Sequence, residues 1–204
     1  MTISRRIVLL TPMIAATIPR TATAADGADA PAAIRLFYDD LLAVMKDAKG
    51  LSFDQRYQRL APAVTRTLEL GLMARLSVGP DWTQLRPDQQ RQLTDVLSRY
   101  TIAVYANRFD GFSGERFEVD PAPAASPNGT IVTSRIVKSN GEKVSINYLM
   151  RQGAGGWQAI DIYLSGTISE LASRRSEFVA VLHQSGADGL IKLLEQRTAA
   201  QRSG

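Results

Sequence analysis

The hydrophobic period of the chain changes twice, and that change constrains the fold more than any other feature of the sequence. From Pro31 to Asn107 apolar residues recur at helical spacing, from Glu115 to Leu164 they alternate with a period of two, and from Ile168 to Arg197 the helical spacing returns. In the middle block Asn140-Gly141 stands between "GTIVTSRIVKS" and "EKVSINYLMRQ", a strong hairpin signal. A two-residue turn there pairs Lys138 with Lys143, Val137 with Val144, Arg135 with Ile146, Thr133 with Tyr148 and Ile131 with Met150. Val132, Ile136 and Leu149 then fall on the opposite face with Ser134, Ser145 and Asn147. "ERFEV" precedes the hairpin as a strand, "GGWQAIDIYLS" follows it as a fourth, and "PAPAASPNG" reads as a loop. This order predicts an α+β fold: N-terminal helices, a curved antiparallel sheet of about four strands, and C-terminal helices packed on the sheet.

The helical blocks carry their own punctuation. "PAAIRLFYDDLLAVMKDA" puts Ile34, Phe37, Leu41, Val44 and Ala48 on one stripe, and Gly50 ends that helix. Ser52 with Gln55 three residues later is a capping box opening the next helix, which Pro62 interrupts or restarts. Two short helices follow, ending at Gly79-Pro80. The longest pattern starts at Pro87, a favoured first-turn position, with Leu93, Val96, Leu97, Tyr100 and Val104 in period. Gly186 divides the C-terminal segment into two helices.

The first residues have the form of a secretory signal: basic Arg5 and Arg6, an apolar run from Ile7 to Ile18, and Ala22-Thr23-Ala24 as a small-x-small cleavage site. The run is shorter than the ~20 residues of a spanning helix and contains Pro12. Residues 1–24 are therefore expected to leave, and 25–204 to form a single domain. The signal holds Arg5, Arg6 and Arg20 and no acid, so the net charge of +4 becomes +1 in the mature chain. With no long basic block, that balance supports no nucleic-acid partner. Among 204 residues there is no cysteine and one histidine, which excludes thiol chemistry, disulfides and sites built on several imidazoles. No metal or cofactor is called for.

Asp161, among Ile160, Ile162, Tyr163 and Leu164, is the residue most open to a chemical reading. By strand parity it sides with Trp157, Ala159 and Tyr163, against Ile160, Ile162 and Leu164. If the Ile/Leu side is the core, Asp161 faces water or a terminal helix; if the Trp/Tyr side is, it is buried and needs a cation such as Arg174 or Arg175. As an enzyme, a cone-shaped α+β fold would use Asp161 with a tyrosine, Tyr105, Tyr148 or Tyr163, as acid and base. A structural role fits better, because no motif fixes such a partner. His183, near a helix end, is expected to cap free carbonyls. Asp39 and Asp40 diverge by about 100° on a helix and form no dyad. What remains is a large apolar inventory with methionines, compatible with a ligand pocket between sheet and helices.

The C-terminal stretch "WQAIDIYLSGTISELASRRSEFVAVLHQSGADGLIKLLEQR" resembles the signature of the MlaC/toluene-tolerance family of periplasmic carriers. Trp157, Asp161, Tyr163 and Gly166 stand at the matching places, followed by Arg175-x-x-Phe178 and Gly186-x-x-Gly189-Leu190-Ile191. "LGLMARLSVGPDWTQLRPDQQRQLTDVLSRYTIAVYANRFDGF" is similar to the family's second helical block, through Trp82, Gln90 and Tyr105-Ala106. Thr167-Ile168-Ser169 in place of Val-Ser, and "SELASRR" in place of a Tyr-containing form, bring the chain closer to the hopanoid-associated branch, HpnM. The resemblance implies a non-enzymatic periplasmic carrier of a phospholipid or hopanoid, working between an inner-membrane ABC transporter complex and an outer-membrane partner. The lining residues expected on this reading are Phe37, Leu97, Val104, Tyr105, Ile146, Tyr148 and Met150. Trp157, Asp161, Arg175 and Phe178 are expected to be structural, with Arg175 pairing Asp161. A scaffold without any ligand is the remaining alternative.

Overall fold

A computed structural model of the chain describes residues 29–153 and 155–203, so the signal expected at residues 1–24 lies outside the described residues. Helix α1 (Asp29–Asp47) buries Ile34, Phe37, Leu41 and Val44 and runs into a 3-10 turn, Ala48–Gly50. Ser52 Oγ accepts from the Gln55 N–H, and Gln55 Oε1 from the Ser52 N–H, closing the capping box of α2 (Phe53–Thr67). Pro62 does not interrupt α2 as the sequence suggested. Pro62 and Gln58 are both exposed, so the carbonyl that loses its intrahelical partner meets water instead. After α3 (Leu70–Val78) and a second 3-10 turn, Gly79–Gln84, α4 (Pro87–Arg108) is the long helix expected.

The described strands are seven rather than about four: β1 (Arg116–Val119), β2 (Ala124–Ser126), β3 (Gly129–Val132), β4 (Ser134–Val137), β5 (Lys143–Gly153), β6 (Gly156–Leu164) and β7 (Ile168–Ser169). β2 lies in the stretch read as a loop, and the line of chain read as one strand breaks at Thr133 into β3 and β4, both antiparallel to β5. All join one antiparallel sheet in the order β1-β4-β5-β3-β2, with β6 on the other side of β5 and β7 beyond it. Helix α5 (Glu170–Ser203) closes the chain, broken at Gly186, whose φ of 68° and ψ of −176° no helix contains.

The hairpin register differs from the expected one by a residue. Gly141 N–H donates to the Lys138 carbonyl at 2.9 Å and Lys138 N–H to the Glu142 carbonyl at 2.8 Å, so the loop is Ser139-Asn140-Gly141 with Gly141 at φ 84°. Asn-Gly serves this three-residue loop as well as a two-residue one, because glycine supplies the left-handed residue in either. The pairs become Val137 with Lys143, Ile136 with Val144, Arg135 with Ser145 and Val132 with Tyr148. A slip of one flips a whole strand. It turns Val132, Ser134 and Ile136 onto the face of Val144, Ile146 and Tyr148, and leaves Arg135 to meet Glu118 on β1, Nε to Oε2 at 2.5 Å. The other register would put that guanidinium inside.

The parity expected for β6 also changes along its length. Leu149 pairs with Asp161 but Met150 with Ala159, so Ile160 is the extra residue of a bulge. Trp157 and Ala159 consequently share the face of Ile162 and Leu164, and Asp161 stands on the opposite one. Two hydrophobic clusters result. One joins α1 and α2 to the sheet around Phe37, Tyr148 and Met150; the other is helical, holding Leu97, Phe178, Leu190 and Leu194 of α4 and α5.

Candidate functional site

Between the sheet and the α4/α5 pair lies a cavity of about 680 Å³, within the ~300–1,000 Å³ usual for ligand sites. Its sheet wall is Ile136 of β4, Val144, Ile146 and Tyr148 of β5, and Ile162 and Leu164 of β6. These alternate along their strands, as one face of a pleated sheet must. The helical wall comes from Tyr100, Thr101, Val104, Tyr105 and Arg108 on α4, at the helical period, and from Glu170, Ser173, Arg174, Glu177 and Phe178 on α5, with Arg197 further along it. Tyr38 of α1 and Phe109 also reach it.

Of the expected lining residues, Val104, Tyr105, Ile146 and Tyr148 border this cavity. Phe37, Leu97 and Met150 do not. Phe37 stands a layer behind, its ring 5.4 Å from Tyr105 and 6.5 Å from Tyr148, edge-on to both. Leu97 faces the helical cluster, and Met150 is sealed in the sheet cluster. Ile136, Ile162 and Leu164 were missed because their facing depends on the register and on the bulge, neither of which alternation alone reveals. The polar residues of α5 had a legible signal: Glu170, Ser173, Arg174 and Glu177 recur at three and four residues.

Three phenols sit together at the sheet end. Tyr38 and Ser134 share a 2.6 Å hydrogen bond, and Ser134 donates in turn to the Ile146 carbonyl. Burial pushes the Tyr38 phenol up to about 12 and those of Tyr105 and Tyr148 above their ordinary value as well. All three are neutral hydroxyls near pH 7, poor bases and poor acids alike.

Asp161 is 4% exposed and is not among the cavity-lining residues. Its Oδ1 accepts from the N–H groups of Ile162 at 2.7 Å and Leu171 at 3.0 Å, and its Oδ2 from the Ser169 hydroxyl at 2.6 Å. Ser169 Oγ also accepts from the Ala172 N–H at 2.9 Å, so Asp161 and Ser169 together cap the start of α5. The expected pairing with Arg175 is overturned: backbone donors and a hydroxyl replace the cation, and Arg175 instead lies across Gly79, where a Cβ would come 2.8 Å from its Nε. Phe178 is buried in the helical cluster, and Trp157 packs against the sheet cluster. Among the described residues His183 caps no carbonyl; its Nε2 meets Asp81 Oδ2 at 2.9 Å, tying α5 to the second 3-10 turn.

No described group of three or more His, Cys, Asp or Glu side chains is placed to hold a metal ion. No helix among the described residues is long and apolar enough to cross a membrane. Fold and cavity thus define an α+β protein with a cavity between a sheet and a helical pair. The chain belongs to the MlaC family, whose profile, described as "MlaC protein", matches residues 36–196. That family consists of non-enzymatic lipid-binding transport proteins, which removes the Asp161-and-tyrosine enzyme. A solved phospholipid-binding protein from Ralstonia solanacearum, in complex with a phospholipid, is 26% identical with a TM-score of 0.74, over 85% of this chain and 99% of that one. No curated protein matches the sequence.

Proposed function

We propose that residues 25–204 form a periplasmic carrier that holds a phospholipid with its acyl portion in the cavity and moves it between membranes. The observation that carries this reading is the apolar sheet wall of a 680 Å³ cavity in a chain similar along most of its length to a phospholipid-bound protein. At ~0.8 kcal/mol per buried methylene, a lipid tail does not cross water unaided at a useful rate. Carriage also requires release, so the cavity must open without unfolding the protein. The export signal in residues 1–24 and the family resemblance support a place in the periplasm, between an inner-membrane ABC transporter complex and an outer-membrane partner. A hopanoid is the second cargo that the sequence resemblance implies.

The test is native mass spectrometry of the protein purified from its own envelope without detergent, followed by lipid extraction. A phospholipid at about one equivalent is the expected result. A hopanoid in its place replaces the cargo but keeps the carrier. A folded protein that is empty, and that also takes nothing from vesicles, returns the ligand-free scaffold. Ile146→Trp supplies the control: it fills the cavity from a partly exposed position and should abolish co-purification at an unchanged fold.

A further inference from the structure

Three arginines and two glutamates line the cavity, and one arginine differs from the rest. Arg197 is engaged by Glu177 through both terminal nitrogens, and Arg108 is exposed. Arg174 is 17% exposed in its side chain and makes no hydrogen bond among the described residues. Its nearest carboxylate, Glu170, stands 3.7 Å from Nη2, beyond hydrogen-bonding distance, while Nη1 is buried without a partner. Thr101 Oγ1, on the facing helix, is likewise buried and unpartnered. The guanidinium carbon lies 5.8 Å from the centroid of the Tyr100 ring, which holds the fork by a cation–π contact. Arg174 and Arg108 both oppose, in part, the burial that raises the Tyr105 phenol, so both cations act on the same floor of the cavity.

A buried guanidinium N–H without an acceptor is costly, and an orphan of this kind calls for a partner that the chain itself does not supply. We propose that Arg174, with the Thr101 hydroxyl of the facing helix lining the same cavity, anchors the acidic group of the cavity's ligand. The site then selects amphiphiles bearing a phosphate or carboxylate over neutral ones such as a diacylglycerol or an uncharged polycyclic triterpenoid. This rests on the lipid-binding reading and adds to it a basis for choice. The planar fork suits both anions bidentately. A low-dielectric wall strengthens the contact, and Glu170, which touches only the Nη2 side, leaves the Nη1 edge available.

The experiment offers lipid-stripped protein vesicles containing phosphatidylglycerol and diacylglycerol in equal amounts, and counts both lipids by mass spectrometry. Arg174→Met keeps the apolar stem and should lower the ratio of phospholipid to diacylglycerol about tenfold or more, with Arg174→Lys in between. A ratio unchanged in Arg174→Met, at an unchanged thermal melt, overturns the anchor and leaves the carrier standing. If the Met variant does not fold, Arg174→Lys decides alone, since it keeps the charge and loses the fork; a severalfold fall supports the anchor and an unchanged ratio overturns it. Wild-type protein that takes up neither lipid removes the carrier reading and the anchor with it. Inorganic phosphate titrated alone should show no saturable binding. If it binds in an Arg174-dependent way while the lipid ratio stays constant, the site is one for a free anion and the headgroup assignment falls.

Discussion

The two walls of the cavity are built by different physics. The sheet wall is apolar and fixed from behind: Phe37 meets Tyr148 edge-on, Tyr38 stacks on Phe117 at 4.4 Å, and the Tyr38–Ser134–Ile146 chain of hydrogen bonds spans three elements. The helical wall is charged and fixed from its ends. Asp161 and Ser169 hold the start of α5, His183 meets Asp81, and Glu177 and Arg197 join the two halves of α5 across the break at Gly186. Burial that depends on interlocking rings resists small displacements, whereas half-exposed ion pairs re-form after them. The sheet wall is therefore the fixed side of the cavity, and the helical wall is the part that can yield.

The largest effect expected from this contrast is at Phe37. It is fully buried behind the sheet wall, so Phe37→Ala should cost about 3–5 kcal/mol in denaturant unfolding. A loss below about 1 kcal/mol would mean that the ring stack gives the wall no rigidity, and the contrast would fail.

The phenols sharpen the same point through pH. Tyr38 is raised in the folded state to about 12 from 10.0, so the stability linked to its proton is complete below pH 10 and is lost as pH rises through 12. At roughly 1.4 kcal/mol per unit, this one group accounts for about 2–3 kcal/mol. Thermal melts should decline between pH 10 and 12, and Tyr38→Phe should flatten that decline. Equal slopes for the two proteins would place the phenol in contact with water.

How much of this was legible beforehand follows from which residues act alone and which act through a register. The helices, the Ser52–Gln55 cap, the Pro87 start and the Gly186 break depend on local spacing and were readable. The inner face of β4 depends on the choice between a two- and a three-residue loop at Asn140-Gly141, and local propensity does not distinguish them. Burial does, because only one register keeps Arg135 out of the core. Asp161 was misassigned a cation for a related reason. A carboxylate on a strand suggests a salt bridge, while the helix N-terminus that satisfies it lies across a turn that β6 and β7 create. The cavity residues split the same way: Val104, Tyr105, Ile146 and Tyr148 were expected on the carrier reading, whereas Ile162 and Leu164 needed the bulge at Ile160.

On the helical side, Gly186 carries the next effect. Nothing lies within 4 Å of where its Cβ would be, so substitution meets backbone strain and no clash. At φ 68° and ψ −176° a residue other than glycine pays about 1–3 kcal/mol. Gly186→Ala should lower the melting temperature by that cost, and vesicle transfer assays should show slower exchange if the break lets the wall move. Unchanged exchange at reduced stability would assign Gly186 to folding alone.

Asp161 separates the holding of the wall from chemistry. Asp161→Asn keeps an acceptor for the Leu171 N–H, and the Ser169 hydroxyl can reverse, so the loss should be smaller than the ~1–3 kcal/mol of removing the group altogether in Asp161→Ala. Lipid uptake should survive in Asn and fall in Ala only as far as the fold does. Loss of uptake in a fully folded Asn variant would mean that the carboxylate acts on the ligand, which its place outside the cavity lining does not allow.

The smallest effect tests the idea that the helical wall yields. Glu177 and Arg197 are each more than a third exposed, and such pairs contribute about 0–1 kcal/mol. Glu177→Gln should therefore leave the melt nearly unchanged. It should nonetheless quicken lipid release, because the pair ties the two halves of α5 together beside the cavity, and a bond too weak to matter for folding can still set how often that joint opens. It also leaves Arg197 without the Glu177 carboxylate, adding an uncompensated charge to the cavity that Arg174 lines. Faster release of a neutral lipid with slower release of an acidic one would separate these two consequences: the first reads the joint, the second the charge. If release of both lipids matches wild type, the helical wall is as fixed as the sheet, and opening must be sought at the sheet edge instead.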